Sequence, residues 1–165
     1  MCYYDYKDYG AREIRQYENC EYKDELAYIC YSIYGRKLKI EDIAKTGYAR
    51  LHFKNKEKHF GTKIFKALLL HLKERKEYFN TIEGILSASD AQNNWFTSIP
   101  FYYNFPKYID TKKLKYSLKF HLYDYQYNEI HLPPNKKDML KEINKLIKFH
   151  ENIGKNAYFI FEICE

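Results

Sequence analysis

Residues 47–90 read GYARLHFKNKEKHFGTKIFKALLLHLKERKEYFNTIEGILSASD. The spacing predicts a strand over 47–53, a basic loop, a long amphipathic helix over 60–78 and a second strand over 82–88. In the first strand Ala49, Leu51 and Phe53 alternate with Tyr48, Arg50 and His52, the period of a pleated segment. In the helix Ile64, Phe65, Leu68, Leu69 and Leu72 fall on one stripe, with Lys63, Lys66, Lys73 and Lys76 off it and Asn80 as a C-terminal stop. A strand–helix–strand crossover of this length joins a parallel pair. Gly84 marks a point of close approach in the second strand. Eight Lys and Arg residues lie between Lys54 and Lys76. The helix start they surround, with open amides and a positive dipole end, suits an anion.

Working outward, 26–33 (LAYICYSI) and 38–43 form a hairpin around Tyr34-Gly35-Arg36-Lys37. Before it, Tyr3, Tyr4, Tyr6 and Tyr9 suggest a short edge strand and 11–17 a helix of two turns. After residue 90 a short helix is expected over 98–105, because Pro100 fits a first turn and Pro106 closes the segment. Residues 114–122 alternate as a strand. A helix over 136–150 carries Met139, Leu140, Ile143, Leu146 and Ile147 on one face and ends at Gly154, and 157–163 is a last strand. With six Gly, four Pro, no repeat and no linker, residues 1–165 read as one domain.

The 45% hydrophobic content is that of a globular chain; the 19% aromatic content, nineteen Tyr included, fits an AT-rich coding sequence. The net charge of +6 favours anionic partners: CoA, tRNA, DNA or an acidic protein. No apolar run approaches the ~20 residues of a membrane span, and the first fifteen residues lack the apolar stretch of a secretory leader. Cys2, Cys20, Cys30 and Cys164 form no CxxC and no zinc spacing, which points to free thiols, no metal and a cytoplasmic location, with Cys30 as core filling. No Ser-His-Asp order or P-loop competes.

The frame Lys56-Glu57-Lys58-His59-Phe60-Gly61 resembles the motif of the GNAT family of acyl-CoA N-acyltransferases: Gln or Arg, two residues, Gly, one residue, then Gly or Ala. The final glycine is kept, His59 stands at the first glycine and Lys56 at the leading position. The helix, the strand after it, Ser89-Asp90, Asn93-Asn94 and the Phe101-Tyr102 pair follow at family-like distances, so the resemblance covers roughly 26–104. It implies an α/β fold with a twisted mixed sheet, splayed between two parallel strands, and helices on both faces. The extra C-terminal helix before the last strand and the short N-terminal region are atypical of the family.

The resemblance also implies a function: transfer of an acyl group, most simply acetyl, from acetyl-CoA as co-substrate to a primary amine by direct attack. In that reading amides of His59, Phe60, Gly61, Thr62 and Lys63 cradle the pyrophosphate, and Lys56, Lys58 and Lys63 add charge. The Leu51 backbone, with His52 and Phe53 beside it, faces pantetheine from one side, and Leu86, Ser87 and Ala88 stand on the other. Asn93 or Asn94 bonds the pantetheine arm. Tyr102, with Tyr103 as neighbour, protonates the departing thiolate. His52 is a candidate base for the amine, and Asp90 a second through water. The acceptor is a small amine, a protein or an aminoacyl-tRNA, and the sheet edges and extra helix offer surfaces for a homodimer. Two rival readings are a degenerate relative acting as an interaction module and a nucleic-acid-binding protein.

Overall fold

The computed structural model describes residues 3–8, 12–18, 21, 24–46, 48–49 and 59–165. It is an α/β protein whose residues group into two compact units, Met1–Asn80 with Asp110–Lys115, and Thr81–Ile109 with Tyr116–Glu165.

In the first unit β1 (Tyr3–Lys7), β2 (Arg12–Tyr17), β3 (Glu25–Tyr34) and β4 (Lys37–Lys45) form an antiparallel meander. The hairpin between β3 and β4 closes through Gly35, whose φ of 58° is the positive value such a two-residue loop demands. The helix expected over 11–17 is the strand β2. Its alternation buries Ile14 and Gln16 on one face, and β1 and β3 bond both its edges; for so short a segment two partner strands outweigh helix propensity. Tyr48 and Ala49, expected in a strand, are helical. The Thr46 hydroxyl accepts the Ala49 N–H at 3.2 Å, as an N-cap does. The rest of that expected strand lies outside the described residues.

Helix α1 (Phe60–Glu74) buries Phe60, Ile64, Phe65, Leu68, Leu69 and Leu72, the stripe read from the sequence, against β2, β3 and β4. It stops four residues earlier than expected. Lys76 adopts a left-handed φ of 58°, and Glu77 N–H returns to the Leu72 carbonyl at 3.0 Å, a closing turn that needs no glycine. A polar cluster ties β1 to this helix. Asp8 Oδ1 lies 2.9 Å from His71 Nε2 and accepts the Tyr31 hydroxyl at 3.2 Å, while Oδ2 lies 3.3 Å from Arg75. The Tyr6 ring stacks on His71 at 4.3 Å. One turn, α3 (Thr111–Leu114), packs on α1 through the 2% exposed Leu114. Asp110 caps it by accepting the Lys112 and Lys113 amides, which is why the strand expected from 114 begins at Ser117.

In the second unit β5 (Thr81–Leu86), β8 (Ala157–Cys164), β6 (Ser117–Tyr123) and the short β7 (Glu129–Ile130) pair antiparallel in that order. Between β5 and β6 runs α2 (Ala91–Asn104), which begins seven residues earlier than expected and has Pro100 inside it. Proline there removes the bond to the Phe96 carbonyl, at about 3 kcal/mol. Burial of Ala91, Trp95, Ile99 and Tyr102 on one stripe offsets that loss. The extra helix α4 (Lys136–Ile153) packs along α2 and ends at Gly154 with φ 64°, as the sequence suggested. Cys30 and Cys164 are free and half-buried; Cys2 and Cys20 lie outside the described residues.

Gly84 sets the core of this unit. A Cβ there would lie 2.3 Å from Cζ of Phe159, so the absent side chain is the space the ring occupies. Tyr102 stacks on that ring at 3.9 Å and 22°. Gly84→Ala is therefore expected to displace Phe159 and to destabilise by about 1–3 kcal/mol, read as a fall in Tm.

Asp8 makes the stability of the first unit depend on pH. Burial opposes its charge, but hydrogen bonds and charges from His71, Tyr31 and Arg75 prevail and hold its carboxyl below the usual carboxylate range. The stabilisation is full above that range and is lost as pH falls through the lowered folded-state value. Asp8→Asn should lower Tm at pH 7 and flatten the loss of Tm between pH 5 and pH 3; a profile as steep as the wild type would contradict this.

Candidate functional site

The start of α1 is built from the residues that the sequence singled out. His59 precedes it with φ 51° and ψ 44°, a left-handed conformation, and its side chain caps nothing. This backbone disfavours side chains by about 1–2 kcal/mol and suits glycine. A left-handed residue joined to a right-handed helix turns successive amides toward one side, the basis of an anion-binding concavity. The first turn contains no Asp or Glu. Phe60 is buried, and two ammonium groups lie over its ring, Lys45 at 5.8 Å and Lys63 at 5.9 Å from the centroid. Gly61 and Thr62 are half-buried and Lys63 is exposed. The arrangement concentrates positive charge and helix-end amides at one place, and its chemical capability is to hold an anion. Leu51, His52, Phe53, Lys56 and Lys58 lie outside the described residues.

In the second unit the segment after β5 borders an open depression of about 470 Å³ lined by Ser87, Ala88, Ser89, Glu151, Gly154 and Asn156. Its walls are held from both sides. The Ala88 amide donates to Asn156 Oδ1 at 2.9 Å and the Gln92 amide to Glu151 Oε1 at 3.0 Å, so side chains near the end of α4 serve the start of α2. The Ser87 and Ser89 hydroxyls lie 2.8 Å apart, and the Ser87 carbonyl accepts the Trp95 indole N–H at 3.0 Å. Asn93 and Asn94 stand exposed in the first turn of α2. Asp90 precedes that helix and makes no side-chain cap.

Tyr102 lies on the same helix, 6% exposed and fixed between Phe159 and the edge of Phe161. Tyr103 is half-buried, edge-on to Phe120 at 6.0 Å and beneath the Lys107 ammonium. Asn93 and Asn94 are thus about 12–13.5 Å from Tyr102 along the helix axis. Lys45, Glu151 and Asn156 were missed by sequence reasoning. Lys45 ends a hairpin strand, and the other two belong to the inserted helix and the turn after it, so no local pattern connects them to their partners. Among the described residues no group of three or more His, Cys, Asp or Glu side chains could hold a metal ion, and no helix is long and apolar enough to cross a membrane.

No protein-family profile matches the sequence, and no curated protein sequence matches it. Among solved structures, the chain is similar to nourseothricin acetyltransferase at 15% identity and a TM-score of 0.48, covering 96% of this chain and 68% of that one. It is similar to Ard1 from Thermoplasma volcanium at 14% identity and a TM-score of 0.45, covering 93% and 70%. Similarity to the ribosomal-protein-S18-alanine N-acetyltransferase from Escherichia coli is at 12% identity and a TM-score of 0.43, covering 94% and 69%.

Proposed function

We propose that residues 1–165 act as one acyltransferase domain that transfers an acyl group, most simply acetyl, from acetyl-CoA to a primary amine. The observation that carries this reading is the backbone of His59. The position that matches the first motif glycine keeps a left-handed conformation suited to glycine although a histidine occupies it. Next to it stand the motif's final glycine, Gly61, and two lysines, with no carboxylate in the first turn. In this reading the amides of Phe60–Lys63 and the charges of Lys45 and Lys63 receive the pyrophosphate. Lys56 and Lys58 add to them, and Leu51 and Phe53 flank pantetheine. Ser87, Asn93 and Asn94 supply polar groups along the turn and the start of α2.

The chemistry needs no covalent enzyme intermediate. The amine loses a proton, for which His52 is the proposed base, and attacks the thioester carbonyl. The C–S bond breaks as the amide forms, and the CoA thiolate takes a proton from the Tyr102 phenol, which the amine's proton finally replaces through solvent. The Phe159 stack holds the Tyr102 ring in one orientation, as a positioned proton donor requires. The protein would act in the cytoplasm without a metal, on a small amine, a protein or an aminoacyl-tRNA, alone or as a homodimer.

Isothermal calorimetry with acetyl-CoA tests the binding step. His59→Gly relieves the left-handed strain without removing amides, and affinity is expected to hold or rise. Lys63→Glu is expected to weaken binding by tenfold or more, since it places a carboxylate at the positive helix end. Absence of heat at millimolar acetyl-CoA would remove the proposal. Tyr102→Phe is expected to lower kcat by tenfold or more with acetyl-CoA affinity within twofold of wild type; an unchanged kcat would return Tyr102 to a packing role.

A further inference from the structure

The inserted helix α4 is strongly two-sided. Met139, Ile143, Ile147 and His150 are buried in the second unit. The opposite pole carries Lys137, Lys141, Lys145 and Lys148, all exposed. Their spacing of four, four and three residues keeps them on one line, with rises of about 6, 6 and 4.5 Å. Lys145 bonds Glu142 at 3.0 Å; among the described residues Lys137, Lys141 and Lys148 have no carboxylate within salt-bridge distance. The line ends beside Phe149, which is 49% exposed although it is a phenylalanine and which lies against Tyr125 at 5.9 Å.

We propose that this face of α4 is a docking surface for single-stranded nucleic acid, the lysines following the phosphates and Phe149 stacking on a base. Evenly spaced ammonium groups match a backbone with one charge per nucleotide, and a solvent-facing ring at the end of a basic line is the other half of single-strand recognition. Lysine in place of arginine favours point contacts to phosphate over planar readout of bases, so the surface is sequence-tolerant. A membrane is the weaker candidate: helices that lie on bilayers insert their apolar face, and here that face is committed to the core. This inference stands apart from acyl transfer and needs none of the residues assigned to it.

The test is fluorescence anisotropy of the full chain with labelled 20-nucleotide oligo-U and oligo-dT. Binding is expected at 50 mM salt, falling about 50-fold by 200 mM if four phosphates are engaged, because each contributes about −0.7 to the log–log salt slope. Lys137→Glu/Lys141→Glu/Lys148→Glu should abolish binding with Tm within 2 °C of wild type, and Phe149→Ala should weaken it by fivefold or more with the salt slope unchanged. Binding that survives the triple charge reversal, or its absence at 100 µM protein and 50 mM salt, overturns the proposal. So does equal or tighter binding to poly-glutamate or to phosphatidylserine vesicles, which would reassign the face to an acidic protein or a lipid surface.

Discussion

One absent methyl group governs the second unit. Because Gly84 has no Cβ, the Phe159 ring can occupy the space beside β5, and there Tyr102 stacks on it. Phe161 then meets Tyr102, Phe105 and Phe120 within 6.3 Å, so α2, the turn after it and β6 are tied to the same aromatic column. Aromatic pairs in offset or edge contact are worth ~0.5–1.5 kcal/mol beyond the area they bury. The column also explains how α2 tolerates Pro100. The helix is held by its buried stripe from outside, and one lost backbone bond is a minor defect in it.

The first unit uses polar fastening as well as burial. The apolar stripe of α1 fills the core, while Asp8, His71, Tyr31 and Arg75 fasten β1, which lies at the edge of that unit's meander. Arg12 adds a contact to Glu77 at 2.9 Å, just beyond the end of α1. An edge strand engaged by charged side chains is poorly disposed to recruit another chain. At the opposite end of α1 the first turn contains no Asp or Glu, and among the described residues Lys45 and Lys63 stand beside it. That contrast along one helix separates scaffold from candidate site.

Periodicity made much of this architecture legible. Ile64, Phe65, Leu68, Leu69 and Leu72 declared the face of α1, the Gly35 hairpin announced β3 and β4, and Gly154 marked the end of α4. Errors arose where a local rule met a tertiary partner. Ile14 and Gln16 read as part of a helix because nothing in residues 11–17 reveals the two strands that bond them. Ala91, Trp95, Ile99 and Tyr102 kept helical spacing, but the rule for Pro100 hid it. For the candidate site, the glycine-like position of His59 was visible in the motif frame, whereas Lys45, Glu151 and Asn156 arrive from elements distant in sequence. Proximity of that kind leaves no periodic trace.

The turn Thr111–Leu114 belongs to the first unit, although the chain has by then completed β5 and α2 of the second. A ribosome must therefore deliver at least 115 residues before the earlier unit can close its core over Leu114. Until then α1 keeps part of its surface uncovered, and the nascent chain has a reason to wait, or to be escorted. Dividing the protein at residue 80 would produce an N-terminal fragment lacking its own last piece.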